Sequence, residues 1–229
     1  MFAMTKTIFW DFDGTLIHPN ESFLDSIQIA LKSCGYDVNA SDIRDFLRRV
    51  CSWNTPEIEY TDRTGQKWWD SLFHQLDTFY RNLGVSGSDK DKLNELFKKR
   101  AIDPATFTLY PDSVDVLGEC ISLGYRNYII SNNFPDLSNT IEGLGLSTLF
   151  SGYIVSSNVG YEKPRIEIFR YALTVAGFPD VFYMVGDNPV ADIHGAKNAG
   201  MKTILVHRDI EADCDYHCDA LSEIPPILT

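Results

Sequence analysis

The chain has 229 residues, of which 44% are hydrophobic, and its formal net charge is −12. This length and apolar content can bury one compact core with an inserted segment. The excess of acidic residues argues against nucleic acid and anionic membranes as partners. Lys6 interrupts the apolar stretch near the N-terminus, so we expect no signal peptide and no membrane span, and we predict a cytoplasmic protein. Five cysteines, an odd number, indicate reduced thiols.

The first predicted element is a strand over residues 8–11 that ends in two carboxylates. The run Asp11-Phe12-Asp13-Gly14-Thr15 follows its apolar residues. Residues i and i+2 of an extended segment point to the same side, and Gly14 permits a turn that most residues resist. Asp11 and Asp13 can therefore share one substrate, as a nucleophile beside an acid/base. The alternative is a strand that ends in an Asp/Gly turn and has no chemical role.

The next stretch, before the second predicted strand, is more than a hundred residues long and far exceeds an ordinary crossover. Apolar residues at helical spacing predict four helices in it, which include Phe23, Ile43, Trp69 and Leu93 in turn. We predict that residues 18–104 form a small helical bundle whose helices bury their apolar faces mainly against one another. Such a lid would exclude water and select a small soluble substrate.

Several residues of this insertion could face a substrate. Spacing places Trp69 in the core of the bundle, and Arg44 and Arg48 on a solvated helical face. Trp53 lies in a predicted loop and is the better candidate for lining a pocket. His18, just beyond the first motif, is expected to be an exposed loop residue.

Four more strands are predicted over residues 128–131, 153–156, 181–186 and 203–207, with helical patterns between them. This alternation is typical of a Rossmann-like parallel α/β sheet, which binds ligands at the carboxyl ends of its strands. Residues 1–17 and 105–229 would form this core. Ser131 and Asn132 end the second strand, and Asp187 follows the fourth. Lys163 precedes Pro164, which suits the first position of a helix.

These motifs and their order resemble those of the haloacid dehalogenase-like superfamily of hydrolases. The match covers residues 8–15, 128–133, 163–164 and 184–192, and the segment 109–125 is similar to the helix that precedes the family's second motif. The resemblance implies a nucleophile at Asp11, a general acid/base at Asp13, a phosphate-binding hydroxyl at Ser131 and a charge-balancing lysine at Lys163. It also implies that residues 18–104 are the helical cap that many members insert after the first motif.

A divalent cation is expected because carboxylates that converge on one pocket repel one another. Mg²⁺ prefers oxygen ligands, and none of the proposed ligands is His or Cys. The resemblance implies Asp11, Asp13 and Asp187 as the metal ligands, with Asp192 orienting the metal shell or the lysine. Thr15, Ser131 and Asn132 are the candidate residues for binding the substrate.

The leading hypothesis is therefore a Mg²⁺-dependent phosphatase that hydrolyses a small phosphorylated metabolite through an aspartyl-phosphate. A phosphosugar mutase of the same superfamily shares every core residue, and a non-catalytic phosphate- or Mg²⁺-binding regulator is also possible. Asp13 argues against a haloacid dehalogenase, which by resemblance lacks the second acid. A phosphonate hydrolase would need a cap lysine, and residues 33–66 contain none.

The segment 214–218 groups Cys214, His217 and Cys218. A structural zinc site needs four convergent ligands, and the sequence offers no second spaced pair. We therefore predict a polar surface loop for this segment.

Overall fold

A six-stranded parallel sheet forms the centre of the computed structural model, which describes residues 4–229. The strands are β1 (Lys6–Trp10), β2 (Tyr125–Ser131), β3 (Gly152–Val155), β4 (Val181–Gly186), β5 (Lys202–Val206) and β6 (Tyr216–Cys218). Their spatial order is β3-β2-β1-β4-β5-β6. β1 therefore lies between β2 and β4, and the carboxyl ends of these three strands are neighbours. The predicted parallel α/β fold is confirmed.

Helices cover both faces of the sheet, so its strands are apolar on both sides. Ile8 and Trp10 of β1 belong to a cluster that also contains Leu117, and Phe9 belongs to a second cluster that contains Phe169. Alternate residues of β1 thus pack into two separate hydrophobic clusters, one on each face of the sheet. The helices of the core are α5 (Ser113–Ser122), α6 (Leu137–Gly143), α7 (Ser156–Val159), α8 (Ile166–Val175) and α9 (Gly195–Asn198), numbered after the four of the insertion.

Those four predicted helices are present as α1 (Ser22–Ser33), α2 (Ala40–Val50), α3 (Gln66–Asn82) and α4 (Lys90–Ala101). Trp69 is fully buried, as its spacing predicts. The helices bury their apolar faces against one another and also against the core. Phe134 of the core packs against the aromatic cluster that Phe23 and Trp69 form. The Phe23 ring stacks on the Phe134 ring at a centroid distance of 5.8 Å and on the Trp69 ring at 6.1 Å.

A second contact joins the segment between α2 and α3 to α7 and to Gly160, which follows α7. The Tyr60 amide donates to the Gly160 carbonyl and the Gly65 amide to the Ser157 carbonyl, both at 2.9 Å. Gly160 has a φ of +91°, and a Cβ there would lie 2.6 Å from the Cα of Thr61. Only glycine fits a backbone approach this close.

Two local predictions are wrong. Residues 216–218, predicted as loop, form β6, which pairs with β5 although Tyr216 and His217 carry no alternating apolar pattern. The Asp215 carboxylate anchors this edge by accepting bonds from the amide and hydroxyl of Thr203 at 2.8 and 2.9 Å. The helix expected to begin at Pro164 begins at Ile166 instead, so Lys163 and Pro164 lie in the preceding turn.

The five cysteines are free thiols. Across residues 4–229, every helix is too short or too polar to cross a lipid bilayer.

Candidate active site

Polar residues from three neighbouring strands meet at the carboxyl edge of the sheet. Asp11 follows β1, Ser131 ends β2 and Asp187 follows β4. All three line a cavity of about 670 Å³ that lies between the sheet and the inserted helices. The same cavity is lined by Asp13, Lys163 and Asp192. Asn132 lines it as well, so seven of the eight predicted site residues line one cavity at the sheet edge that was predicted to hold the site.

Lys163 occupies the floor of this cavity between two carboxylates. Its ammonium donates to Asp11 Oδ1 at 2.7 Å and to Asp192 Oδ1 at 2.6 Å. Only 2% of the lysine is exposed. Burial alone would lower the pKa of Lys163, but the charges of Asp11 and Asp192 outweigh burial and raise the pKa above its ordinary value. The lysine is therefore a fixed positive charge.

Asp192 is held in place by bonds to both of its oxygens. Oδ1 accepts from Lys163, and Oδ2 accepts from the Asn188 amide at 3.0 Å. Asp192 lies in a π-helical turn, Pro189–His194, directly after β4. Gly186 makes this arrangement possible, because a Cβ at that position would overlap the Asp192 carboxylate. These bonds hold the Asp192 carboxylate against the Lys163 ammonium.

Asp13 has different surroundings. Its Oδ2 accepts from the Asn133 amide group at 2.6 Å, and its Oδ1 accepts from Asn20 at 3.3 Å. Burial and, to a smaller extent, the nearby charge of Asp11 raise the pKa of Asp13 to about 7, although the two asparagines and the charge of Lys163 oppose the shift. A carboxyl group with such a pKa can both give and take a proton near neutral pH.

Asp187 lies beside the turn of the first motif. Gly14 has a φ of +79°, and a Cβ there would lie 2.8 Å from the Asp187 carboxylate. The guanidinium of Arg208, just beyond β5, approaches Asp187 Oδ2 at 3.2 Å. Burial and the Asp11 charge raise the pKa of Asp187, and Arg208 opposes this shift.

Asp11, Asp187 and Asp192 each place one carboxylate oxygen within 4.8 Å of the other two, so this group could hold a metal ion. All three donors are oxygen atoms, which suits a hard divalent cation. Both oxygens of Asp192 are already bonded, so Asp11 and Asp187 are the better ligands. The carboxylate of Asp13, predicted as a ligand, lies outside this group and bonds to asparagines instead.

The residues predicted to bind substrate have different positions. Ser131 lines the cavity and its hydroxyl lies 3.4 Å from Nδ2 of Asn133. The side chain of Asn132 instead binds the backbone of Lys163: its Nδ2 donates to the Lys163 carbonyl at 2.9 Å, and its Oδ1 accepts from the Lys163 amide at 2.6 Å. Thr15 is fully buried and lies outside the cavity wall, so the structure does not support direct contact with substrate.

The inserted helices supply the opposite wall of the cavity. Trp53 lines it, as its loop position suggests. Arg44 also lines it, whereas spacing placed Arg44 on a solvated face. Its Nε and Nη2 donate to the carboxylate of Glu21 at 2.9 to 3.0 Å. Arg48, one turn further along α2, remains exposed and bonds Asp45 at 3.4 Å.

Sequence analysis missed several residues that act on the site. Asn133 could have been anticipated from its place in the loop after β2, and Arg208 from its place beyond β5, since both lie at the carboxyl edge of the sheet. Glu162 gives no such signal. It is fully buried beside Lys163 and accepts a 2.5 Å bond from the Tyr60 hydroxyl of the insertion. Burial raises the pKa of Glu162.

The sequence is similar to that of known proteins. The sequence model of the haloacid dehalogenase-like hydrolases matches residues 5–200. A phosphoserine phosphatase of Thermus thermophilus is 33% identical over 163 residues, which cover 68% of this chain and 65% of that protein. The human haloacid dehalogenase-like hydrolase domain-containing protein 3 is 28% identical over 206 residues, which cover 88% of this chain and 81% of the human protein.

A solved structure shows the same fold. The YfnB protein of Bacillus subtilis, whose crystal structure was determined bound to magnesium, superposes with a TM-score of 0.70 over 99% of both chains at 18% identity. This likeness shows the fold, and the family match over residues 5–200 shows that the chain belongs to the haloacid dehalogenase-like hydrolase family.

Proposed function

We propose that the protein is a Mg²⁺-dependent phosphatase that hydrolyses a small phosphate monoester through a phosphorylated Asp11. The observation that carries this proposal is the bonding of Asp11 in the cavity. Lys163 holds Oδ1, and no hydrogen bond to Oδ2 is found within residues 4–229. One carboxylate oxygen is thus fixed by a positive charge while the other is available to attack.

In the first step, Asp11 Oδ2 attacks phosphorus and the bond from phosphorus to the ester oxygen breaks. The departing oxygen needs a proton, which Asp13 supplies, because its raised pKa keeps part of the population protonated near neutral pH. The leaving alcohol departs with that proton. Ser131 lines the same cavity and can donate to a phosphoryl oxygen as negative charge develops there.

In the second step, water attacks the phosphorus of phosphorylated Asp11, and Asp13, now a carboxylate, takes its proton. The bond between phosphorus and Asp11 breaks, which restores the carboxylate and releases phosphate. Lys163 stays bonded to Asp192 throughout and keeps a positive charge beside the Asp11 oxygen.

Asp11 and Asp187 are the residues that would hold Mg²⁺, which commonly binds proteins through one or two carboxylates and completes its shell with water and substrate phosphate. Bound there, the ion would offset the negative charge of the phosphoryl group and polarise its oxygens. We also propose that residues 18–104 form the cap of this site, and the position of the cavity between the inserted helices and the sheet supports this assignment. A cavity that lies under inserted helices suits a small metabolite better than a macromolecule. The cytoplasmic location expected from the sequence is part of the proposal.

Release of inorganic phosphate from p-nitrophenyl phosphate tests the proposal. We expect turnover with Mg²⁺ and none in excess chelator, and loss of turnover in Asp11→Asn, whose amide cannot act as an anionic nucleophile. Full activity in chelator with protein shown to be free of metal would contradict the proposal. Analysis of products from phosphorylated sugars separates hydrolysis from the mutase alternative, because a mutase returns an isomeric phosphate and little free phosphate.

A further inference from the structure

A second, smaller cavity lies within the insertion, and the proposed reaction does not use it. It has a volume of about 200 Å³ and is lined by the end of α2, the segment that follows α2, and α3. Among the described residues, it shares no lining residue with the larger cavity that contains Asp11. A ligand in the smaller cavity would therefore lie apart from the reacting carboxylates.

The charge of the smaller cavity is opposite to the net charge of the chain, which is −12. Arg49 and Arg63 line it, and within residues 4–229 no aspartate or glutamate does. Arg49 is exposed, and its side chain has no ion pair or hydrogen bond in the described part of the chain. Arg63 lies 3.5 Å from Asp62, whose side chain is 81% exposed, whereas Arg44 and Arg165 each pair with a glutamate at 2.9 Å. Both guanidinium groups of the smaller cavity are thus available to an anion.

The smaller cavity also offers apolar surface and free polar groups. Trp68 and Leu72 of α3 are buried beside it, and Ile58 lines it although that residue is 52% exposed. Ser71 and Gln75 line it as well, and their side chains have no hydrogen-bond partner among residues 4–229. A cavity of about 150 Å³ holds a benzene ring, so a cavity of this size has room for one ring and a carboxylate.

Tyr60 connects the smaller cavity to the active site. It lines the cavity, and the core holds it from two directions. Its amide donates to the Gly160 carbonyl at 2.9 Å, and its hydroxyl donates to Glu162. Glu162 directly precedes Lys163 in the chain. The position of Tyr60 in the cavity wall thus depends on contact between the insertion and the loop that carries Lys163.

Trp68 forms a second connection. Its ring lies parallel to within 27° of the Trp53 ring, at a centroid distance of 6.0 Å, and Trp53 lines the cavity that contains Asp11. Nε1 of Trp68 donates to Ser52 Oγ at 3.2 Å, which fixes the ring against the segment that carries Trp53. One pair of stacked indole rings therefore joins the two cavities.

We propose that the smaller cavity binds a carboxylate that carries one apolar ring, and that this ligand strengthens substrate binding in the larger cavity. A carboxylate bonds a guanidinium through two oxygens and adds little volume to the ring. A ligand packed against Tyr60 favours the arrangement in which the core holds that tyrosine, because it binds this arrangement better. The same arrangement fixes Trp53 in the wall of the larger cavity, so the two ligands favour each other. The effect on substrate rests on the proposed phosphatase function, whereas the site itself does not.

Calorimetric titration tests the site without turnover. The probes are benzoate, benzamide and benzylamine, which share one ring and carry a carboxylate, no charge or an ammonium. We expect benzoate to bind with a Kd of about 1 mM or lower and the other two probes to bind at least about 10-fold more weakly. Equal binding of the three probes would overturn the inference.

Variants locate the bound benzoate. Arg49→Gln and Arg63→Gln should each weaken benzoate binding by about 5-fold or more, because each removes a guanidinium that can bond the carboxylate. Arg48→Gln is the matched control, since Arg48 precedes Arg49 on α2 but bonds Asp45 and does not line the cavity. Benzoate binding that all three variants leave unchanged would place the ligand elsewhere and reject the site.

Steady-state kinetics with p-nitrophenyl phosphate and Mg²⁺ test the effect on substrate. Saturating benzoate should lower KM by about 5-fold, and this effect should be lost in Arg49→Gln and kept in Arg48→Gln. Tyr60→Phe retains the ring in the cavity wall but removes the bond to Glu162, so it should still bind benzoate and lose the effect on KM. A KM that benzoate leaves unchanged, or raises in Arg49→Gln as in the natural protein, would contradict the inference.

The two measurements separate failure of this inference from failure of the phosphatase proposal. A protein that releases no phosphate from p-nitrophenyl phosphate would contradict the proposed reaction, and the titrations would still decide whether the smaller cavity binds a carboxylate. A protein that turns over p-nitrophenyl phosphate but binds benzoate no better than benzamide would keep the proposed reaction and lose the second site.

Discussion

Replacing Lys163 by methionine should destabilise the protein strongly, because the change leaves two carboxylates of the cavity floor without their cation. Asp11 and Asp192 are both buried, and each lies within 2.7 Å of the lysine ammonium. Removing one partner of a buried pair costs about 3–5 kcal/mol of unfolding free energy. For a chain of this length, that corresponds to a fall in the thermal midpoint of roughly 6–20 °C.

The loss should grow with pH. Burial already raises the pKa of Asp192, and without the ammonium this carboxylate loses the charge that opposes the shift. The folded-state pKa of Asp192 therefore lies further above its unfolded value, and between those values the folded variant binds more protons than the unfolded chain. Its unfolding free energy therefore falls as pH rises through this window. We expect the gap between the natural protein and Lys163→Met, measured in chelator, to be larger at about pH 8 than at about pH 5.

Lys197→Met is the matched control for this experiment. Lys197 forms a bond of the same length, 2.7 Å, to Asp213, but the aspartate side chain is 95% exposed. An exposed pair of this kind contributes about 0–1 kcal/mol. Thermal denaturation of the two variants at both pH values decides the matter, and a Lys163→Met midpoint within error of the Lys197→Met midpoint would refute the account of the cavity floor.

Asp13→Asn should slow the hydrolysis of alkyl phosphates by about 10²–10⁴-fold and that of p-nitrophenyl phosphate far less, because an aryl leaving group needs little protonation. Equal losses of rate across a series of leaving groups would show that Asp13 is not the acid. In chelator, the same variant should be more stable than the natural protein at about pH 8 but not at about pH 4. The raised pKa of Asp13 makes the folded natural protein lose stability as the pH rises from about 4 to about 8. Thermal midpoints of both proteins at the two pH values measure this difference in stability. Tyr60→Phe should lower kcat more than KM, because the Tyr60 hydroxyl bonds Glu162, which would help to position the neighbouring Lys163. The control Tyr36→Phe breaks a 2.8 Å bond to an aspartate within the insertion and should leave kcat unchanged. Equal steady-state kinetics for the two variants would mean that Glu162 does not position the lysine.

The location of the site could be predicted from sequence because it depends on patterns that sequence shows. Apolar runs indicate strands, and in a parallel α/β sheet the residues that follow those strands gather at one edge. Asp11, Ser131 and Asp187 follow this rule, and they line one cavity. The helical insertion could also be predicted, since the long segment between the first two strands contains four runs of apolar residues at helical spacing.

The bonding of individual side chains could not be predicted in this way. Asn132 lies where a substrate ligand was expected, but the turn directs its amide to the backbone of Lys163. Thr15, which follows Gly14, is fully buried. Arg44 has the spacing of a solvated residue, and its place at the cavity wall depends on how α2 docks over the sheet. Rotamers and the docking of an insertion depend on tertiary contacts, which periodicity does not encode.

The short elements also escaped sequence analysis, for a different reason. β6 has three residues and too few apolar side chains to alternate, and the pairing with β5 together with the bonds from Thr203 to Asp215 stabilises it. The helix predicted from Pro164 begins at Ile166, because Pro164 lies within the turn that carries Lys163 to the cavity.

The central claim is that Asp11 becomes phosphorylated during turnover, and mass spectrometry of an acid-quenched reaction tests it most directly. The protein to use is Asp13→Asn with p-nitrophenyl phosphate and Mg²⁺, because the aryl group leaves without the acid while the second step lacks its base. We predict that the peptide containing Asp11 gains the mass of a phosphoryl group and that Asp11→Asn protein does not. Release of p-nitrophenol with no phosphorylated peptide, or with phosphate on another residue, would contradict the account.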